Sequence, residues 1–428
     1  MRTREKKAGS RKTMTCPLER SVLQMEDTAR RRKPLERVRV LEMGHLIAGP
    51  YGAELLAGFG AAVTKIERPG SGDPLRCWRG MYRGSSLWWS TLSRNKRCIT
   101  LDLEHPKGQE MVRRMIPHYD VLIENFKPGT IERWGLGPDQ LQAIHPGLIV
   151  VRVSGWGLTG PYANRPGYAS VAEAMGGLRY TTGYPDLPPA RNGVSLGDTI
   201  AGLHAALGAL LALYHRDTGD SGRGQVIDVS LAESVFSLME ATLPEFDKLG
   251  RVRERTGSRM EGVVPSSTYL SSDGKHVVIA ANGDSIFVRL MRAIGRMELA
   301  DDPRLAHNNG RVAHAETIDR AISEWAAEHR CAEILDVLNE AGVVCGPIYS
   351  IRDIVADPHF AARGMWEDVD LGDGDTVRMP SFVPKLSETP GGTEWAGPAL
   401  GAHNDDVYRD LLGLDDQEIR ELTELGVI

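Results

Sequence analysis

VRVLEMGHLIAGPYGAELLAGFGAAVTKIERP, residues 38–69, is the stretch on which the fold turns. VRVLEM is a run of branched and apolar residues and predicts a strand. Gly44, Gly49 and Pro50 punctuate the turn that follows. Small and apolar residues then recur at helical spacing, and AAVTKIERP reads as a second strand. A strand, a helix and a strand within about 30 residues form a β-α-β unit with parallel strands. The unit lacks GxGxxG, so a nicotinamide cofactor is not indicated.

The alternation continues outward. RCITLDL, DVLIENF and LIVVRVSGWG read as strands, and HPKGQEMVRRMIPHY and GTIERWGLGPDQLQAIHPG as helices and turns. Steady alternation predicts an α/β protein built on a doubly wound parallel sheet. DTIAGLHAALGALLALYH, residues 198–215, reads as a buried helix whose small residues admit a neighbouring backbone, with Asp198 as its N-cap. The texture changes near residue 250. The division expected is a basic extension over 1–33, a large α/β domain over 34–249 and a smaller α+β domain over 250–350. A C-terminal segment, 351–428, then returns to the large domain.

Composition narrows the function. The 428 residues are 41% hydrophobic and 25% charged, enough for two cores. No continuous run reaches the ~18–20 apolar residues of a membrane span, so no membrane partner is expected. The five cysteines are scattered and lack a CxxC, which points to a reducing cytoplasm without disulfides or zinc. The twelve histidines show no ligand spacing, so no metal is expected. Residues 1–33 hold eleven Lys or Arg against four acids, a net +7 that leaves −13 for the rest. This head reads as a disordered extension, and the acidic body argues against nucleic acid as the main partner.

Seven stretches together resemble one family, the family III CoA-transferases. They are residues 40–76 (VLEMGHLIAGPYGAELLAGFGAAVTKIERPGSGDPLR), NKRCITLDL, DVLIENFKPGTIERWGLG, SGWGLTGPYANRPGY, TGDSGRGQVIDVSL, AGVVCGPIYSIRDIVADPHFAARGM and PALGAHNDDVY. They stand in the family's order over about residues 35–428. The resemblance implies a Rossmann-like large domain, a small domain and two chains threaded into an interlocked homodimer. It also implies acyl-CoA and a small carboxylic acid as substrates, with coenzyme A bound as substrate and no prosthetic group. In such enzymes a carboxylate attacks the thioester and carries the acyl group, then CoA, as covalent intermediates.

Matching positions suggest the CoA contacts. His45 and Ile47 flank the first turn. Arg68 ends the second strand, where ligands bind in α/β sheets. NKR supplies Asn95, Lys96 and Arg97, and ENFKPGTIERW supplies Asn125, Phe126 and Arg133. Cations are expected because CoA carries phosphates. For each, a turn residue or a solvated surface charge is the competing reading.

RPGYASVAEAMGG, residues 165–177, departs from the family pattern. Relatives commonly carry an aspartate at the place of Ala169 or beside it. Alanine has no functional atom, and Ser170 has no evident base. Glu173 lies one turn further along, on the same helix face, and side chains lean toward the N-terminus. Glu173 is therefore the expected nucleophile, against a structural role bonded to helix amides or to Arg165 or Arg191. Asp198 is a minor candidate. The resemblance implies transfer of CoA from a short acyl-CoA, such as succinyl-CoA, to a small acid, and the extended match over residues 165–198 is similar to members that handle malate or citramalate, with Arg179 and Arg191 pairing a second carboxylate. An α-carbon racemase or epimerase and a catalytically silent CoA-binding protein remain open.

Overall fold

Six of the branched runs become strands of one parallel sheet. A computed structural model describes residues 33–372 and 374–428, so nearly all of the basic head lies outside the described residues. The strands are β1 Arg39–Glu42, β2 Ala62–Glu67, β3 Lys96–Thr100, β4 Val121–Glu124, β5 Ile149–Ser154 and β6 Val226–Ser230. They lie in the order β3-β2-β1-β4-β5-β6, and each neighbouring pair is parallel. The order reverses between β1 and β4, where the connections leave in opposite directions. In open α/β sheets that point leaves a crevice at the carboxyl ends of the strands.

The central strands β1, β4 and β5 are largely apolar because both faces are covered. Alternation sorts them between two cores. Leu41, Leu122 and Val150 pack with Met111 and Val112 and with Tyr408 and Leu422 of the C-terminal segment. Val40, Val121 and Val151 pack on the other face with Ala53, Ala57, Ala205 and Ala209. Four helices position the site: α1 Ala48–Gly58, α2 Pro106–Met115, α3 Ala169–Met175 and α4 Leu196–Thr218.

Helices α1 and α4 cross at backbone contact. A methyl group on Gly52 would lie 3.0 Å from the Gly202 carbonyl oxygen, and one on Gly202 would lie 2.7 Å from that of Ala48. Only small residues permit this approach. The expectation of a fully buried helix holds for that side alone. Leu203, Leu207, Leu211 and Tyr214 on α4 are exposed. By length and composition α4 is also apolar enough to cross a membrane, with half of its most apolar window buried. Asp198 is not its N-cap. Ser195 holds that position, and Asp198 falls in the first turn.

Beyond residue 250 an antiparallel sheet forms from β7 Ser266–Leu270, β8 His276–Ala280 and β9 Val344–Pro347. It has its own apolar cluster, including Tyr269, Val277, Phe287, Ile318 and Leu338.

Candidate active site

The chain leaving β1 and the chain leaving β4 meet at the crevice and clasp each other. The His45 amide donates to Asn125 Oδ1 at 2.9 Å, and Asn125 Nδ2 donates to the His45 carbonyl at 2.8 Å. Leu46 takes a left-handed φ of 64°, a costly conformation for a residue with a side chain. Its amide lies 3.2 Å from both carboxylate oxygens of Asp73. The His45 ring meets Phe126 edge-on at 4.9 Å, and Phe126 meets Trp134 at 5.1 Å.

His45 and Phe126 form a wall between two cavities. One, of 140 Å³, is bounded by Ile66, Arg68, Leu103 and Trp134 as well as that wall. The other, of 320 Å³, reaches Ile47, Arg165, Tyr168 and Asp198. Although His45 is exposed at the wall, close packing desolvates its ring. With Lys65 adding to the effect, its pKa falls below the ordinary histidine value.

Buried charges hold the first turn from beneath. Lys65 Nζ stands 2.7 Å from Glu42 Oε1, 3.0 Å from Asp73 Oδ2 and 2.7 Å from the Gly44 carbonyl. Lys96 Nζ lies 2.8 Å from Glu42 Oε2 and 2.8 Å from the Pro50 carbonyl. Burial opposes the charge on Glu42, but Lys65 and Lys96 outweigh it, so its pKa is lowered. Burial likewise opposes the Lys65 ammonium, and Glu42 and Asp73 overcome it, so that pKa is raised.

The structure sorts the expected CoA contacts. His45, Ile47, Asn125 and Phe126 come together at the larger cavity, and Arg68 lines the smaller. Arg68 is exposed, with Glu104 4.0 Å away. Arg133 is exposed and donates to the Gly129 carbonyl at 3.0 Å, one residue from Trp134. Asn95, Lys96 and Arg97 do not reach the crevice, because they open β3 at the opposite end of the sheet. Lys96 is wholly buried in the ion pair with Glu42. Asn95 clamps the C-terminal segment, donating to the Gly392 carbonyl at 2.8 Å and accepting from the Glu394 amide at 2.6 Å. Arg97 faces a separate cavity with Lys33, Arg37 and Trp395.

Ala169 opens α3 and is buried. Glu173 is wholly buried too, and the geometry gives its carboxylate another task than the space beside Ala169. Its Oε1 accepts from the Gly197 amide at 3.1 Å, and its Oε2 accepts from Arg179 Nη2 at 3.3 Å. The first amides of a helix lack partners within it. Ser195 provides no side-chain cap for α4, so Glu173 supplies the acceptor from a neighbouring helix. It lines neither cavity. Arg179 gives Nη2 to this contact, while its buried Nε has no hydrogen-bond partner among the described residues. Asp198 lines the larger cavity instead. Its pKa is pushed up to about 6, first by burial, then by the charge of Glu173, with Arg191 pulling the other way. Residue spacing could not reveal this, because it depends on α4 abutting α3.

The strand order is that of a doubly wound, Rossmann-type sheet, and its switch point holds a divided crevice of the kind in which such sheets bind ligands. Residues 35–404 match the model of CoA-transferase family III, and the chain belongs to that family. It is similar to succinyl-CoA–D-citramalate CoA-transferase of Chloroflexus aurantiacus, 48% identical over 92% of this chain and 98% of that one. It is also similar to the succinyl-CoA–L-malate CoA-transferase beta subunit of the same organism, 42% identical over 92% and 98% of the two chains. The crystal structure of a CaiB/BaiF family protein from Brucella suis superposes with a TM-score of 0.78 at 33% identity, covering 89% of this chain and 100% of that one. The protein is a CoA-transferase that moves CoA from an acyl-CoA to a carboxylic acid.

Proposed function

We propose that this enzyme moves CoA from succinyl-CoA to a small hydroxy-dicarboxylic acid of the citramalate or malate type. The divided crevice carries this reading. The smaller cavity, with Arg68 at its rim and Trp134 and Leu103 in its wall, suits the nucleotide end of CoA. The larger cavity suits the thioester and a small acid. Arg165 lines it and Arg191 acts electrostatically on Asp198, so cations are at hand for a second carboxylate. The names of the two Chloroflexus relatives support the same donor and acceptor class.

The working form is a homodimer. The exposed Leu203, Leu207, Leu211 and Tyr214 make a long apolar stripe on α4, and a second chain would remove it from water. Residues 250–350 act as a small domain around their own core. The four described cysteines are free, which fits work in a reducing cytoplasm.

The test incubates the full chain with succinyl-CoA and D-citramalate, L-malate or related acids, and reads thioesters by mass spectrometry. New citramalyl- or malyl-CoA with release of succinate is expected. No new thioester across the panel would overturn the reading.

A further inference from the structure

We infer that Arg165 selects the acceptor by pairing with its far carboxylate, the one that does not receive CoA. The inference rests on the CoA-transfer reading and names the residue that makes a dicarboxylic acid the preferred acceptor.

Three observations carry it. The first is position. Arg165 is the only arginine among the described residues lining the larger cavity. Arg179 and Arg191, the arginines expected from the sequence, line neither half of the crevice. Lys127 lines the larger cavity too, but it directly follows Phe126 of the dividing wall, towards the nucleotide end. Arg165 comes instead with Ala163, Pro166 and Tyr168 from the chain after β5. Asp198 is the one carboxylate among the described residues lining this cavity. A dianionic acid entering beside it needs a cation, because an unpaired charge leaving water is costly.

The second is availability. Among the described residues the Arg165 guanidinium enters no ion pair or hydrogen bond. It stacks on the Tyr162 ring at 3.7 Å. Stacking uses the face of the guanidinium and leaves the N–H groups at its edge, and two of them match the two oxygens of a carboxylate.

The third is preorganisation. Residues 155–167 form a loop closed at its neck, where a methyl group on Gly155 would stand 2.8 Å from Gly167 Cα. Trp156 Nε1 donates to the Pro166 carbonyl at 3.2 Å across the same neck. Inside the loop, Trp156 meets Tyr162 edge-on at 5.9 Å, and the Arg165 amide donates to the Tyr162 carbonyl at 2.8 Å. The Leu158 amide donates to Asp228 Oδ2 at 2.9 Å and ties the loop to β6. Tryptophan, tyrosine and arginine thus form one supported stack. A cation already held in place loses less freedom when its ligand arrives. A monoacid of the same skeleton offers that cation no partner.

The full chain is given succinyl-CoA at saturation and two acids together. One is the faster acceptor of D-citramalate and L-malate. The other is the monoacid of the same skeleton, with a methyl group in place of the far carboxylate. Thioesters are read by mass spectrometry, and KM and kcat for the diacid by initial rates. Wild type is expected to favour the diacid. Arg165→Leu is expected to raise KM for the diacid at least about fivefold, with kcat less affected, and to lower the diacid-to-monoacid product ratio. Arg165→Lys keeps the charge without the fork and should recover part of the loss. Tyr162→Leu keeps the arginine but removes its support, and should also raise the diacid KM. An Arg165→Leu enzyme whose KM rises by less than about fivefold would overturn the assignment. So would a wild type without preference, an equal loss on both acids, or a loss that lysine does not ease. In each case a wild type that makes the diacid thioester leaves the CoA-transfer reading standing. A wild type that makes no thioester from either diacid removes both. If the monoacid yields no product with any variant, the diacid KM and its recovery by lysine decide. Should Arg165→Leu fail to fold, Arg165→Gln takes its place under the same criteria.

Discussion

The Gly197 amide donates to Glu173 Oε1 at 3.1 Å, so the start of α4 hangs from the middle of α3. This bond fixes the turn that carries Asp198 and places a negative charge near it. Glu173 thus acts as the acceptor that fixes the start of α4.

Glu173→Gln keeps an acceptor for Gly197 but removes the ion pair with Arg179. A loss of about 1–3 kcal/mol is expected, measured from the urea midpoint. A purely structural residue would do no more. Because the Glu173 charge raises the Asp198 pKa, its removal should also move the acid limb of the rate profile to lower pH. The limb is read from kcat/KM against pH.

Asp198 itself carries a pH-dependent cost. Its folded pKa of about 6 lies above the ordinary value of 3.8. The stabilisation from its protonated form is complete below that ordinary value and is lost as pH rises through the folded one. Integrated over the shift, the cost is roughly 2–3 kcal/mol near neutrality. Asp198→Asn should be more stable than wild type at neutral pH, and the difference should shrink in acid. Calorimetric melting at both pH values checks this. Activity should fall as pH drops through about 6, where the carboxylate is protonated.

Arg68 and Lys96 separate ligand binding from stability. Arg68→Ala, at an exposed rim, should raise KM for the CoA donor about tenfold with kcat preserved, a loss of about 1.4 kcal/mol. Lys96→Met leaves Glu42 with one buried partner instead of two and should cost about 3–5 kcal/mol. Initial-rate kinetics and denaturant unfolding of both variants test the contrast.

Gly202→Ala places a methyl group 2.7 Å from the Ala48 carbonyl oxygen. Either α4 or α1 must shift, at about 1–3 kcal/mol. Since α4 carries Asp198, kcat should fall as well. A variant with unchanged melting temperature and rate would contradict the backbone contact.

Leu207 and Leu211 lie one turn apart on the exposed stripe of α4. Leu207→Lys combined with Leu211→Lys should convert the proposed dimer to monomer in sedimentation velocity. An unchanged dimer would place the interface elsewhere.

Much of this was legible in the sequence because strand and turn signals are local. VRVLEM and AAVTKIERP became β1 and β2, and LIVVRVSGWG became β5. His45, Asn125 and Phe126 were expected together from the family resemblance, and the structure brings them to one cavity because each follows a strand that ends at the crevice. Lys96 was misplaced because its partner Glu42 lies 54 residues away in the chain. A basic residue reads as exposed until such a partner is known. The engagement of Glu173 was hidden for the same reason: its bond to Gly197 is a tertiary contact between two helices, and no spacing within one helix reports it.

The His45–Phe126 wall has a consequence for how such enzymes diversify. On one side the ligand is recognised by strand ends that the whole sheet must preserve. On the other it meets the chain after β5, around Arg165 and Tyr168, which no sheet pairing constrains. Under the proposed function, donor handling and acceptor choice fall to different segments of the chain. Grafting that one stretch from a relative is the economical route to a new thioester product, with the nucleotide end of the enzyme left as it is.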